Sequence, residues 1–214
     1  MDPVTIRTAD GLALEGEIRA PDDAPIRTAV LCHPHPLHGG SKDHPILWAV
    51  RADLAHRGFA VLSFNFRGTM GSEGGYGLGV DEVLDARAAI DTVRARFGGP
   101  TFLFGWSFGA SVALREALED PRVGALALLG FPLGETSLAL PDPPSAPLRS
   151  FLTPVLLMAG DHDPYCPVER LLELGGSIPN AEIEIVPGGD HYFPRREREV
   201  ARRIGAFASE KLPG

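Results

Sequence analysis

Ser107 lies in Gly105-Trp106-Ser107-Phe108-Gly109, a Gly-x-Ser-x-Gly pattern. In a chain with 25 glycines the five residues alone would carry little weight. Their surroundings carry more. An apolar, strand-like run, Thr101–Phe104, comes just before. Ala110, Ala113, Leu114, Ala117 and Leu118 follow at i, i+3, i+4, i+7 and i+8, one face of a helix. Strand, sharp turn and helix are the setting of a nucleophile elbow. Such a turn strains the serine backbone. Glycines on either side let strand and helix approach closely. The hydroxyl then projects at the positive end of the helix dipole. The chemistry this predicts is nucleophilic attack by a serine oxygen.

A serine nucleophile needs a base within hydrogen-bond reach and an acid to orient that base. Behind an elbow of this kind the chain order runs serine, acid, histidine. Only His162 and His191 follow Ser107. His162 lies in Gly160-Asp161-His162-Asp163-Pro164, directly after a strand, where the acid is expected. His191 lies in Gly188-Gly189-Asp190-His191, after the last strand-like segment, and is therefore the base. The acid is Asp161 or Asp163. Asp163 is favoured, because Pro164 holds the loop extended beyond it, whereas Asp161 is placed to brace the turn.

A tetrahedral intermediate needs two backbone donors. One is the N–H after the nucleophile, on Phe108. The other is expected from the loop His33-Pro34-His35-Pro36-Leu37-His38-Gly39-Gly40. Proline has no N–H, which leaves His35 as the donor and Leu37 as its substitute. His33, His35, His38 and His44 also have the density of a metal site, but no zinc-type thiolate or carboxylate pattern accompanies them. Their expected role is to brace the loop, with no metal and no cofactor. The glycines from Gly68 to Gly79 match neither a phosphate-loop nor a dinucleotide pattern. They read as a mobile loop, with Arg67 pinning it by charge-assisted hydrogen bonds.

Strand-like segments Val4–Thr8, Leu12–Arg19, Thr28–Cys32, Phe59–Phe66, Val123–Phe131, Val155–Ala159 and Glu182–Val186 surround the elbow strand. Helical segments cover Pro45–His56, the face Val83, Ala86, Ile90, Val93 and Phe97, then Val168–Leu174 and Arg196–Ala208. Asp10-Gly11 joins the first two strands as a hairpin. Beyond it the alternation implies βαβ units, a mostly parallel sheet, and a site at the carboxyl ends of its strands.

The length of 214 residues suits one domain spanning 1–214, and 44% hydrophobic residues suffice for a core. A net charge of −8 argues against nucleic acid or an anionic membrane as partner. No secretory signal is visible at the N-terminus, and the two cysteines, Cys32 and Cys166, suit a reducing cytoplasm. Cys32 reads as a small buried hydrophobe. The longest irregular connection, Pro132–Thr153, is rich in proline, and its one apolar stretch, Ser137–Leu140, is too short for a lid helix.

The segments His33–Gly40, Phe64-Asn65-Phe66-Arg67-Gly68, Gly105–Ala110, Gly160–Asp163 and Gly189-Asp190-His191 run in a familiar order over nearly the whole chain. Together they resemble the α/β-hydrolases. More narrowly, they resemble the small cap-less bacterial members of that family, related to dienelactone hydrolases and S9-type peptidases. The resemblance implies an α/β-hydrolase fold with a mostly parallel eight-stranded sheet, flanking helices and no large cap. It implies Ser107, Asp163 and His191 as a triad, with no cofactor. Where close relatives often carry phenylalanine before the serine, this chain has Trp106, which is expected to narrow or reshape the site. The expected activity is hydrolysis of small-molecule, short-chain carboxylic esters. A peptidase or amidase with the same triad is the alternative within enzymes, and a catalytically silent interaction module the alternative outside them.

Overall fold

A computed structural model describes residues 1–21, 25, 27–133 and 145–213. Its strands are β1 (Asp2–Arg7), β2 (Ala13–Arg19), β3 (Arg27–Cys32), β4 (Phe59–Phe64), β5 (Thr101–Trp106), β6 (Val123–Leu129), β7 (Val155–Gly160) and β8 (Ala181–Val186). Its helices are α1 (Pro45–His56), α2 (Glu82–Phe97), α3 (Phe108–Glu119), α4 (Ser145–Leu148), α5 (Val168–Gly176) and α6 (Glu197–Lys211). The eight strands form one sheet in the order β1-β2-β4-β3-β5-β6-β7-β8. β2 runs antiparallel to both its neighbours, and every pairing from β4 to β8 is parallel. This is the fold expected of an α/β-hydrolase.

The central strands are buried on both faces, so they read as apolar runs without alternation. Alternate residues nevertheless serve two separate cores. Val30 and Cys32 of β3 join Ala86, Ile90, Ala113 and Leu171 of α2, α3 and α5. Ala29 and Leu31 join Ile46, Val50, Leu54, Ile204 and Phe207 of α1 and α6. Helices on both faces leave the carboxyl edge of the sheet open. Because β3 connects outward to β4 and β5 lies on its other side, the chain reverses direction between β3 and β5. A crevice opens above such a switch point.

The elements follow the sequence reading, with shifts of a few residues at their ends. β4 stops two residues short of the predicted Phe66: Asn65 still bonds to β2, and Phe66 leaves the ladder. The Asn65 N–H reaches Glu15 O at 2.9 Å, and the Phe66 N–H reaches His33 Nε2 at 3.0 Å. Of the proline-rich connection, residues 134–144 lie outside the described residues, Ser137–Leu140 among them. Beyond them stands the four-residue α4, which the sequence reading missed. Among the described residues nothing forms a cap over the crevice, and no helix is long and apolar enough to cross a membrane. Cys32 and Cys166 are both free and buried, and burial pushes both thiols up.

Candidate active site

Ser107 stands between β5 and α3 with φ 55 and ψ −119, a left-handed backbone rare for a residue with a Cβ. The glycines that flank it are required sterically. A Cβ on Gly105 would lie 2.2 Å from Gly109 O, and one on Gly109 would lie 2.3 Å from Cys32 O. A side chain at either position would therefore push α3 away from the sheet.

His191 and Asp163 reach Ser107 from the loops after β8 and β7. His191 Nε2 is 3.0 Å from Ser107 Oγ, and His191 Nδ1 is 2.8 Å from Asp163 Oδ2. All three residues are buried. The other carboxylate oxygen, Asp163 Oδ1, accepts the N–H groups of Tyr165 at 2.8 Å and Cys166 at 3.2 Å. Those two amides fix the rotation of the carboxylate, so Oδ2 faces the imidazole. Asp161 is exposed and makes no part of this series. His162 is also exposed, and its N–H donates to Gly189 O at 2.9 Å.

Two close approaches bring the loops together. A Cβ on Gly160 would lie 2.1 Å from Gly189 O, so the acid loop and the base loop touch backbone to backbone there. Gly130, with φ +53, passes beneath the pair, where an added Cβ would lie 3.1 Å from both Asp163 Oδ2 and His191 Nδ1. Gly130 went unnoticed in the sequence, since a glycine ending a strand carries no signal of what lies above it.

The histidine-rich loop uses its rings as struts. His33 Nδ1–H donates to Pro34 O at 2.7 Å, and its Nε2 accepts the Phe66 N–H. His35 Nδ1 accepts the Leu37 N–H at 3.2 Å, which leaves the proton of the neutral ring on Nε2, 3.1 Å from Tyr76 Oη. His44 Nδ1 accepts the Ile46 N–H at 3.3 Å and caps α1. Leu37's amide is thus occupied within its own loop. Among the described residues no acceptor sits on the amide of His35 or Phe108. The Phe108 amide is one of the unpaired donors at the start of α3.

At the glycine-rich segment Arg67 makes the charge-assisted hydrogen bonds read in the sequence. Arg67 forks onto Asp85 at 2.7 Å and 3.0 Å and reaches Asp10 at 2.9 Å. The Glu82 carboxylate accepts the N–H groups of Gly77 at 2.7 Å and Gly79 at 2.8 Å. The glycines answer to geometry. Gly68 has φ +71, and a Cβ there would lie 2.8 Å from Gly75 Cα. The segment presents Tyr76 to His35, a contact no local pattern announces.

Ser107, His35, His38, His44, Trp106 and Tyr192 border an open cleft of about 490 Å³, part of it continuous with solvent. A family model described as an alpha/beta hydrolase domain matches residues 27–208. The chain belongs to the α/β-hydrolase family. An α/β serine hydrolase without lid from Xanthomonas campestris is 25% identical, with a TM-score of 0.83 over 99% of this chain and 95% of that one. A serine hydrolase homologue from Coxiella burnetii is 27% identical, with a TM-score of 0.84 over 96% of each chain. An esterase from Pyrococcus furiosus shares the fold at 20% identity, with a TM-score of 0.83 over 99% of this chain and 91% of that one. Among the described residues this chain, like the Xanthomonas campestris structure without lid, carries no cap.

The struts predict a pH dependence of stability. Burial pulls the His33 imidazole down to about 4. Above about pH 6.5 the ring is neutral folded and unfolded, so its packing is fully present. As pH falls, the unfolded chain takes the proton first, and stability is lost progressively towards pH 4. The full loss is on the order of 3 kcal/mol. Glu116 acts in the opposite sense. Burial raises its carboxyl to about 7, so it contributes stability at low pH that is lost as pH rises from about 4.5 through 7. The His33 contribution is therefore isolated by comparison. Urea unfolding at pH 7.0 and pH 4.5 should show a smaller loss on acidification in His33→Gln than in the unaltered protein. An equal or greater loss in the variant would contradict this assignment.

Proposed function

We propose that the protein is a serine hydrolase that cleaves short-chain carboxylic esters through an acyl-enzyme on Ser107. The observation that carries this reading is the unbroken series Asp163–His191–Ser107 at the floor of an open cleft. His191 Nε2 takes the Ser107 proton as Oγ attacks the ester carbonyl carbon. Asp163 holds the Nδ1–H tautomer and stabilises the imidazolium that forms. The amides of His35 and Phe108 receive the developing oxyanion, which their unpaired state supports. The imidazolium returns the proton to the leaving alcohol. Water then attacks the acyl-enzyme, with His191 again as base, and releases the acid. The residues present suffice for every step without a metal or cofactor. Two free, buried cysteines are consistent with work in a reducing cytoplasm.

Ser107 should be labelled by a fluorophosphonate probe, because that reaction requires an activated serine. Failure to label would defeat the catalytic reading and leave an interaction module. A screen over esters of graded acyl length should give the best kcat/KM at roughly C2–C6. Each further CH₂ is worth about 0.8 kcal/mol only where apolar surface can bury it, and a cleft with no cap among the described residues offers little. No jump in rate is expected at the micellar threshold. Preference for long-chain triglyceride emulsions would overturn the substrate class. Faster turnover of matched amides would assign a peptidase or amidase instead.

A further inference from the structure

Trp106 ends β5, next to Ser107, and is 1% exposed. Its indole Nε1–H donates to the backbone carbonyl of His191 at 3.2 Å, within the range of an ordinary N–H···O bond. The ring is also wedged among the site's own groups. Its centroid lies 4.3 Å from that of His44, which caps α1, and 5.9 Å from that of the His191 imidazole. A buried indole N–H generally finds some acceptor. Here the acceptor belongs to the residue that carries the proton.

The His191 loop is braced on both sides of that carbonyl by other means. Before it, Gly189 abuts Gly160 and its carbonyl accepts the His162 N–H. After it, Asp190 Oδ1 accepts the N–H groups of Tyr192 at 2.9 Å and Phe193 at 3.0 Å, and Phe193 is fully buried with φ 48. Those contacts set where the loop runs. The bond from Trp106 ties the height of His191 to the strand that carries the nucleophile.

We infer that Trp106 is a positioning residue for the proposed hydrolysis, whose indole N–H holds the His191 imidazole at proton-transfer distance from Ser107. The inference rests on the serine-hydrolase reading. Proton transfer is steep in distance, and a misplacement of about 1 Å can cost on the order of a hundredfold in rate. Phenylalanine at this position would supply a ring but no donor, and the His191 carbonyl would be left buried and unpaired.

The decisive variant replaces Trp106 with β-(3-benzothienyl)alanine, in which sulfur takes the place of the indole N–H and the shape is kept. We expect kcat for a short ester to fall about tenfold or more, with KM within about twofold and the melting temperature nearly unchanged. Trp106→Phe tests the same bond with a natural residue. In both variants the low-field proton resonance of His191 Nδ1–H, held against Asp163, should move upfield or broaden. That reading needs no substrate. If the unaltered protein neither hydrolyses esters nor labels at Ser107, the functional reading fails, and the resonance still tests the positioning. An isostere with kcat within twofold of the unaltered protein, or a resonance that stays in place, would overturn the inference.

Discussion

Ser107→Ala is expected to lower kcat for a short-chain ester by about four to six orders of magnitude with the fold intact. The reasoning is steric as well as chemical. Serine and alanine place the same Cβ on a backbone at φ 55 and ψ −119, so the strain at the elbow is unchanged. The Ser107 N–H keeps its 2.8 Å bond to Leu129 O, and its carbonyl still accepts the Ala110 N–H. What disappears is the oxygen 3.0 Å from His191 Nε2. The amides of His35 and Phe108, the proposed oxyanion donors, remain and are expected to sustain a residual rate. Steady-state kinetics beside circular dichroism and a melting curve check the result. A folded variant retaining most of its activity would remove Ser107 from the mechanism.

Asp163→Asn is expected to cost on the order of ten-thousand-fold in kcat, the size of the equivalent loss in a serine protease. Asparagine fills the same space, and its oxygen can keep the amides of Tyr165 and Cys166. Its NH₂ then faces His191 Nδ1, where an acceptor stood 2.8 Å away. The imidazole is driven to the tautomer with its proton on Nε2, which cannot accept the serine proton. Asp161→Asn, on an exposed residue outside this series, should leave kcat within a few-fold of the unaltered protein. Measuring both variants on one ester separates the two aspartates. Greater damage from Asp161→Asn, with both proteins folded, would reverse the assignment.

Much of this molecule could be read along the chain because the relevant physics is local. The glycine spacing around Ser107, the apolar run before it and the i, i+3, i+4 pattern after it each follow from backbone sterics and helix period. The alternation of strands and helices implied the parallel sheet, and that sheet put the loops after β3, β5, β7 and β8 on one edge. The proline at 34 and the proline at 36 narrowed the oxyanion loop to few donors for the same local reason. The sequence by itself therefore determined the fold class, the edge where the candidate site lies and the short set of residues that could meet there.

The pairings themselves were left to the tertiary structure. Asp161 and Asp163 are two residues apart and chemically alike. Only the contact of Gly160 with Gly189 and the amides of Tyr165 and Cys166 turned one of them toward His191. Leu37 and His35 were both open as amide donors until the His35 ring took the Leu37 N–H. Composition did not show what the glycine-rich segment packs against: its glycines serve left-handed φ angles and close backbone approach, and carboxylates on α2 bond to it. Trp106 and His191 are 85 positions apart, and their bond has no sequence period. Each of these choices depends on which side chains meet after the sheet has assembled. Spacing along a chain encodes a helix face or a strand, but it does not encode the distance between two loops that packing brings together.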